Sequence, residues 1–541
     1  MKYIKITCLI ALLITVSGCK KWLDVNTDPA TPQVAKAEFY LSPILFQMAN
    51  NTATDNRVIF KYTQNMLSQD IIDASLNWEK HGYQSGNDLG GSMWRMTYVN
   101  LGLNLESMIA DAEANNKWTY AGIGYAIKAW AFQILTDAHG PIILDQAFDP
   151  ERLSFNYQDQ PEVYQRVREW SQKALQCFAK TDGASYAGVL AGPSGDQMYK
   201  GDREKWKKFI YANLALQYVH LVNKPQFKTQ YADSVVKYTD LSFASTADDA
   251  TIAFNGVTSA DANPLGPLFN LLGTTSTTTG TYGRVSQPIV DLLTGGVRGT
   301  PAVNPTSSTD PRLSRMINPM VTPLVPATNG VYRGVVVTQG DVAAIKTIPN
   351  VLGAVAAPFP GKYIFSDKAR YPIMTYSQLQ FAKSEALFQK GDMSGAYTAY
   401  LNGIRGHMAF INTYGLQPVG AAAISAAEIT AYLATSEVAQ TAGDLTLADI
   451  MQQKYISQWG WAGMEQWSDM RKYHYDPLIF KTFKQLEESQ FFINNGGKKY
   501  AYRLRPRYNS EYIWNRNELL KWGGLATNYH TMETWFTLPN N

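Results

Sequence analysis

The chain has 541 residues, 45% hydrophobic and 17% charged, with 48 Lys+Arg against 45 Asp+Glu and a formal net charge of +3. A chain of this length can bury about three quarters of the surface its unfolded form exposes, so core size sets no limit. Near neutrality, and the lack of any block of about five or more like charges, argue against a nucleic-acid footprint or a polybasic membrane patch.

The first element is a leader. Lys2 and Lys5 precede an apolar run from Ile6 to Val16, and small residues follow. At the helical rise such a run spans roughly 16 Å, about half a bilayer core, which suits a signal h-region and not a transmembrane helix. Val16-Ser17-Gly18-Cys19 is similar to a bacterial lipobox. Residues 1–18 are therefore expected to be cleaved and Cys19 acylated, the alternative being a plain secretory leader. Without the two leader lysines the net charge is +1. Cys8 would be lost and Cys19 lipidated, leaving Cys177 with no intramolecular partner, so the exported chain must hold together by its core alone.

From Pro32 onward helical periodicity dominates. The pattern predicts helices over about 37–51, 57–73, 91–115, 117–138, 159–180, 202–223, 375–390, 392–410 and 446–472. In "DQPEVYQRVREWSQKALQCFAK", Asp159 and Pro161 open a helix, and Val163, Val167, Trp170, Ala174 and Cys177 recur at spacings of three and four. Between 241 and 373 the texture changes to Thr, Ser, Gly and Pro, with short strand-like runs such as Val335–Val337. So much turn chemistry makes a poor core, and a long irregular excursion from a helical scaffold suits a binding surface or lid. Ser377–Arg405 reads as a helical hairpin turning at Gly391-Asp392. Ala382, Ala386, Ala396 and Ala399 would let the helices approach, and Phe381, Phe388, Tyr397 and Tyr400 would fill the gap to the next pair, as in a tetratricopeptide unit. The fold class expected is mostly α: helical pairs over 37–223 and 375–475, with a loop-rich excursion over 241–373, in one domain from residue 19 to 541.

Chemistry-bearing motifs are scarce. None of the six histidines begins an H-E-x-x-H, and there is no C-x-x-C, Walker A loop, dinucleotide fingerprint or G-x-S-x-G elbow. No metal or cofactor is expected. Glu465 and Asp469 lie one helical turn apart, and two carboxylates could serve glycoside hydrolysis, but Arg471 and Lys472 follow at once and suggest a structural ion-pair cluster. Thirteen Trp and 32 Tyr against 22 Phe favour rings with a polar handle, useful at half-wet surfaces. The sequence argues for binding rather than catalysis.

Several segments, in order, resemble landmarks of the SusD/RagB family of outer-membrane nutrient-binding lipoproteins: "LDVNTDP" (Leu23–Pro29), "LTDAHGPIILDQAF" (Leu135–Phe148), "MYKGDREKWKKFIYANLAL" (Met198–Leu216), "YPIMTYSQLQFAKSEALFQKGD" (Tyr371–Asp392), "IMQQKYISQWGWAGMEQWSDMRKY" (Ile450–Tyr473) and "RLRPRYNSEYIWN" (Arg503–Asn515). Two features depart from that pattern: Ile142-Ile143 stand where proline is often found, and Lys20-Lys21 follow Cys19 where acidic residues often favour surface export. The resemblance implies four tetratricopeptide-like pairs and an irregular ligand face. It also implies a lipid-anchored surface protein, hinged on a SusC-type TonB-dependent transporter and delivering oligosaccharides to it or, in some members, peptides. Such proteins commonly place ligand contacts just before the helix that here starts near Ser92.

Local texture nominates the ligand residues. In "DASLNWEKHGYQSGNDLGGSMW", Trp78 and Tyr83 sit among Asn77, Gln84, Asn87, Asp88 and four glycines, where rings would lie on loop and could stack on sugar C–H faces. Tyr282 with Arg284, and Tyr332 with Arg333, are further candidates. Trp94 reads as core. Three readings stay open: a glycan-binding transporter partner, the same architecture binding peptides, and a surface glycoside hydrolase using Glu465 or other acids.

Overall fold

The computed structural model describes residues 35–68, 76–273, 282–320, 330–340, 351–352, 361–416 and 421–540. The expected leader, Cys19 and the "LDVNTDP" segment lie outside these residues.

The architecture is mostly helical. The longer helices are α1 (Leu41–Tyr62), α2 (Gly102–Ala114), α3 (Trp118–His139), α4 (Gln160–Phe178), α5 (Arg203–His220), α6 (Ala232–Leu241), α7 (Tyr376–Lys390), α8 (Met393–Tyr414), α9 (Leu447–Gln458) and α10 (Gly463–Lys472). The starts follow from capping. Asp159 accepts from the Gln160 N–H ahead of Pro161, Asp202 accepts from Glu204 and Lys205, and Thr446 forms a reciprocal box with Asp449. Neighbouring helices pack as α2 on α3, α3 on α4, α5 on α6 and α7 on α8, with α7 also touching α6 and α9.

The α7–α8 hairpin matches its sequence pattern. Gly391 turns the chain in the left-handed region at φ +91°, and Ala382, Ala386, Ala396 and Ala399 are buried at the contact. Gly403 deepens that approach, since a Cβ there would lie 2.7 Å from the Phe381 ring. Phe381 and Tyr400 are fully buried.

Three helix boundaries differ from the periodicity. The gap expected between the runs 37–51 and 57–73 is helical, so that one helix, α1, spans it, because Asn51, Thr52, Asp55 and Asn56 are buried polar residues that the apolar pattern skips. It ends at Tyr62, and the chain turns into a short strand, Met66–Leu67, instead of continuing as helix. The run expected at 91–115 is broken into Ser92–Arg95, a π turn over Met96–Asn100, and α2. The run expected at 446–472 divides at Trp459–Ala462. There Gly460 adopts φ +87° and donates to Asn65 Oδ1 at 3.1 Å, while the Trp459 indole donates to the Asn65 carbonyl at 2.9 Å. Tertiary bonds to α1's C-terminal turn overrode local helix propensity.

Strands are short and tie the excursion down: β1 (Met66–Leu67) pairs antiparallel with β5 (Arg284–Val285), β2 (Ile142–Ile143) with β3 (Tyr157–Gln158), and β4 (Ala250–Ile252) with β6 (Tyr371–Met374). The Val335 run makes only single bridges, to Ser286 and from Val336 to Gly340. Cys177 is buried and free. Among the described residues no helix is long and apolar enough to cross a membrane, and no group of three His, Cys, Asp or Glu side chains could hold a metal ion.

Candidate functional site

The glycine-rich segment forms one wall of a cleft of about 220 Å³. It begins as a single helical turn, Leu76–Glu79, and continues through Gly86 and Gly90 at positive φ. The facing wall comes from the C-terminal segment: Arg505, Pro506, Arg507, Tyr508 and Tyr512. Two glycines let the walls meet. At Gly90 a Cβ would lie 3.0 Å from the Trp78 ring, and at Gly91 it would lie 3.1 Å from the Arg507 Cα.

The walls are locked by polar contacts. Arg507 Nη2 pairs with Asp88 Oδ2 at 2.7 Å, and the Asn509 backbone N–H and side-chain amide each donate to an Asp88 oxygen at 3.0 Å. The Arg505 guanidinium lies over the Tyr83 ring at 4.4 Å and the Tyr512 ring at 5.3 Å. Its nitrogens donate to the carbonyls of Ala526 and Gly524. Tyr508 and Tyr512, both half-buried, stack with centroids 5.5 Å apart. Burial pushes the Tyr512 phenol up to about 12, against the pull of Arg505, so it stays a neutral donor and acceptor. Gln84 and Asn87 add half-buried amides to the lining, and the Asn87 side-chain oxygen accepts from the Leu89 N–H.

The expected loop rings sit deeper than expected. Trp78 is only 3% exposed and packs 5.5 Å from Tyr62. Tyr83 is 9% exposed, edge-on to Phe492 and His530. The physical reason is an aromatic cluster around His81, where Tyr62, Tyr475, Phe483, Phe491 and Tyr500 converge. It draws the 76–83 segment inward. Trp78 is thus the floor of the cleft rather than a solvent-facing platform. Asn77 is half-buried and outside the lining.

The second-tier residues do not join this cleft. Arg284 is buried in β5 opposite Leu67. The Tyr282 ring lies 5.0 Å from the Arg57 guanidinium, and its carbonyl accepts from Lys61 Nζ at 2.6 Å. Tyr332 is 7% exposed and its N–H donates to the Pro305 carbonyl; of these four residues only Arg333 is exposed. Trp94 is buried, as its helical position suggested.

The acidic pair is structurally engaged. Glu465 Oε2 meets His220 Nε2 at 3.1 Å. Asp469 is buried between Lys454 at 2.7 Å and Lys472 at 2.8 Å, with Glu385 completing the cluster. Both lysines hold the Asp469 carboxyl below its ordinary range despite burial. Two carboxylates so bound are poorly placed to serve as acid and nucleophile.

Comparison with known proteins decides the family. The family model described as SusD-like, starch-binding and associating with the outer membrane, matches residues 29–494. The chain belongs to the SusD-like family. Solved SusD-like structures share the fold across nearly their whole length. A SusD/RagB family protein from Bacteroides thetaiotaomicron is 19% identical with a TM-score of 0.67, covering 93% of this chain and 99% of the other. A SusD homologue from Parabacteroides distasonis is 18% identical with a TM-score of 0.68, covering 92% and 98%. A chitin-binding SusD homologue from Flavobacterium johnsoniae is 15% identical with a TM-score of 0.64, covering 93% and 98%. Among curated proteins, none matches the chain.

The residues that sequence reasoning missed are Arg505, Tyr508 and Tyr512. The signal was in the sequence, as two tyrosines four apart behind an Arg-Pro-Arg, but nothing local shows that this segment folds back onto residues 82–91.

Proposed function

We propose that this SusD-like protein binds oligosaccharides in the cleft between residues 82–91 and 505–512 and delivers them to a SusC-type TonB-dependent outer-membrane transporter. The observation that carries the reading is the pairing of stacked Tyr508 and Tyr512 with the side chains of Gln84, Asn87, Asp88 and Arg505 around one opening. A sugar presents a C–H face to a ring and hydroxyls to amides, carboxylates and guanidinium groups. Burying about 50 Å² of apolar surface on a ring contributes on the order of 1 kcal/mol. Two rings with several net hydrogen bonds of about 1 kcal/mol each give millimolar to micromolar affinity, which suits a protein that must release its cargo. Membership of a family described as starch-binding and outer-membrane associated supports the same reading, as does the chitin-binding homologue among its structural neighbours.

The anchor belongs to this proposal: acylation of Cys19 would tether the protein at the outer membrane, most usefully facing outward, with Lys20-Lys21 at the membrane surface. Affinity electrophoresis of the soluble chain from Lys20 onward, against plant, fungal and host polysaccharides, tests the binding. Retardation by at least one polymer is expected. No retardation by any, with binding of peptide mixtures instead, would replace the glycan reading by the peptide one.

A further inference from the structure

A second cleft, of about 330 Å³, opens at the N-terminal end of α1. Ser42, Phe46 and Gln47 from the first turns of that helix form one side, and Phe254, Asn255 and Asp261, from the loop after β4, form the other. Phe46 and Phe254, both half-buried, meet edge to face with centroids 6.2 Å apart. The opposite end of α1 carries Tyr62, which packs on Trp78 in the floor of the first cleft. From Gln47 to Tyr62 the helix rises roughly 22 Å, so the two clefts are separate sites on one rigid element.

Polar atoms around these rings are unpaired and open to solvent. Gln47 Oε1 is held by the amides of Asn51 and Asn100, both at 2.8 Å, which leaves Nε2 as a donor. The bonds to the Asp261 carboxylate from Val257 and Thr258 all fall on Oδ1 and leave Oδ2 as an acceptor. The Ser42 hydroxyl and the exposed Asn255 amide engage no other group among the described residues. None of these atoms is buried, so a ligand in the cleft reaches them.

That set selects among ligands. The lining carries one carboxylate and no Lys, Arg or His, which disfavours phosphate or any other anion. An apolar ligand would strip water from the four polar groups without replacing it. Peptide capture by strand addition meets groups already used: the Ala253 N–H donates to the Gln197 carbonyl at 3.1 Å, and the Thr251 carbonyl accepts from Arg370. A neutral sugar fits, since its C–H face packs on a ring and its hydroxyls both donate and accept. We infer that this cleft is a second saccharide site, holding a neutral sugar residue of the same strand that enters the first cleft. Its ligand class follows from its own lining, and only the shared strand rests on the reading of the first cleft. Two half-buried phenyl rings give an affinity on the order of 1 mM alone. On a strand already held by the first cleft, the second contact is intramolecular and tightens binding of the polymer.

Hydrogen–deuterium exchange of the soluble chain from Lys20 onward tests this, with the polysaccharide that retards it in affinity gels or, where none does, with soluble starch and glycol chitin. Slowed exchange is expected over residues 253–261 as well as over 82–91. Asn255→Ala, which breaks no side-chain bond within the protein, and Phe46→Ala are expected to weaken polymer binding about fivefold to tenfold and to reduce the slowing over 253–261. A trisaccharide cut from the same polymer, too short to span the clefts, is expected to bind both variants as it binds wild type. Slowed exchange over 253–261 without 82–91 upholds the second site and counts against the first. Slowing over 82–91 alone or over neither, or undiminished polymer affinity in both variants, overturns the inference.

Discussion

Arg507 holds Asp88 at 2.7 Å, and with that contact the last part of the chain closes on a loop near its beginning. The pair is about three quarters buried, and Asp88 also receives two bonds from Asn509. It fixes the spacing of the two cleft walls rather than the fold around them.

Replacing Asp88 with Ala should therefore separate binding from stability. Loss of a partly exposed pair costs roughly 1 kcal/mol of folding stability or less, while the walls lose their register and affinity for the retained polysaccharide falls about tenfold. Denaturant midpoints and affinity gels on the same preparation read the two effects.

Trp78 separates core from platform. As the buried floor of the cleft, it should cost about 3–5 kcal/mol when changed to Ala, lowering the midpoint of thermal unfolding. A solvent-facing stacking residue would leave that midpoint where it was. Differential scanning calorimetry of Trp78→Ala against Tyr508→Ala shows the contrast, with only the former strongly destabilised.

Asp55 anchors the helix that leads out of the cleft. Its two oxygens accept from the N–H groups of Ser92 and Met93 at 3.0 and 2.7 Å, yet burial raises its carboxyl to about 6. A carboxyl raised in the folded state favours folding when protonated. Its contribution is present below its ordinary value near 3.8 and is lost as pH rises to about 6. The change is on the order of 3 kcal/mol. Urea unfolding of wild type and Asp55→Asn between pH 4 and 7 should show the wild type losing stability relative to the variant.

His220 behaves in the opposite sense. Burial alone would lower it, but Glu465 at 3.1 Å and Asp137 at 3.3 Å raise it to about 9. A histidine raised in the folded state contributes fully below its ordinary value near 6.5 and loses that contribution as pH climbs through about 9. His220→Gln should cost on the order of 3 kcal/mol at pH 6 and much less at pH 10. Unfolding curves at the two pH values check it.

The scaffold was legible because it is local. The spacing of alanines and rings in α7 and α8, and caps such as Asp159, Asp202 and Thr446, are written within a few residues of the structure they make. The site was less legible because it is not local. Residues 76–91 announced a glycine-rich, aromatic, amide-bearing loop, but their burial depends on Tyr475, Phe491 and Tyr500, and the opposite wall comes from residues 505–512. The same nonlocality broke the expected 446–472 helix at Gly460, where Asn65 supplies the competing hydrogen bonds. Asp469, by contrast, was legible as an ion-pair residue because Lys472 stands three residues on, whereas the partner of Glu465 is His220, from a distant helix.

The account's central claim is that ligand lies against the Tyr508–Tyr512 stack. Affinity electrophoresis of Tyr508→Ala and Tyr512→Ala, in whichever polysaccharide retards the wild type, tests it most directly. Loss of retardation in both variants, with unfolding midpoints close to wild type, is the predicted result. Undiminished retardation in both would contradict it and move the binding site elsewhere on the molecule.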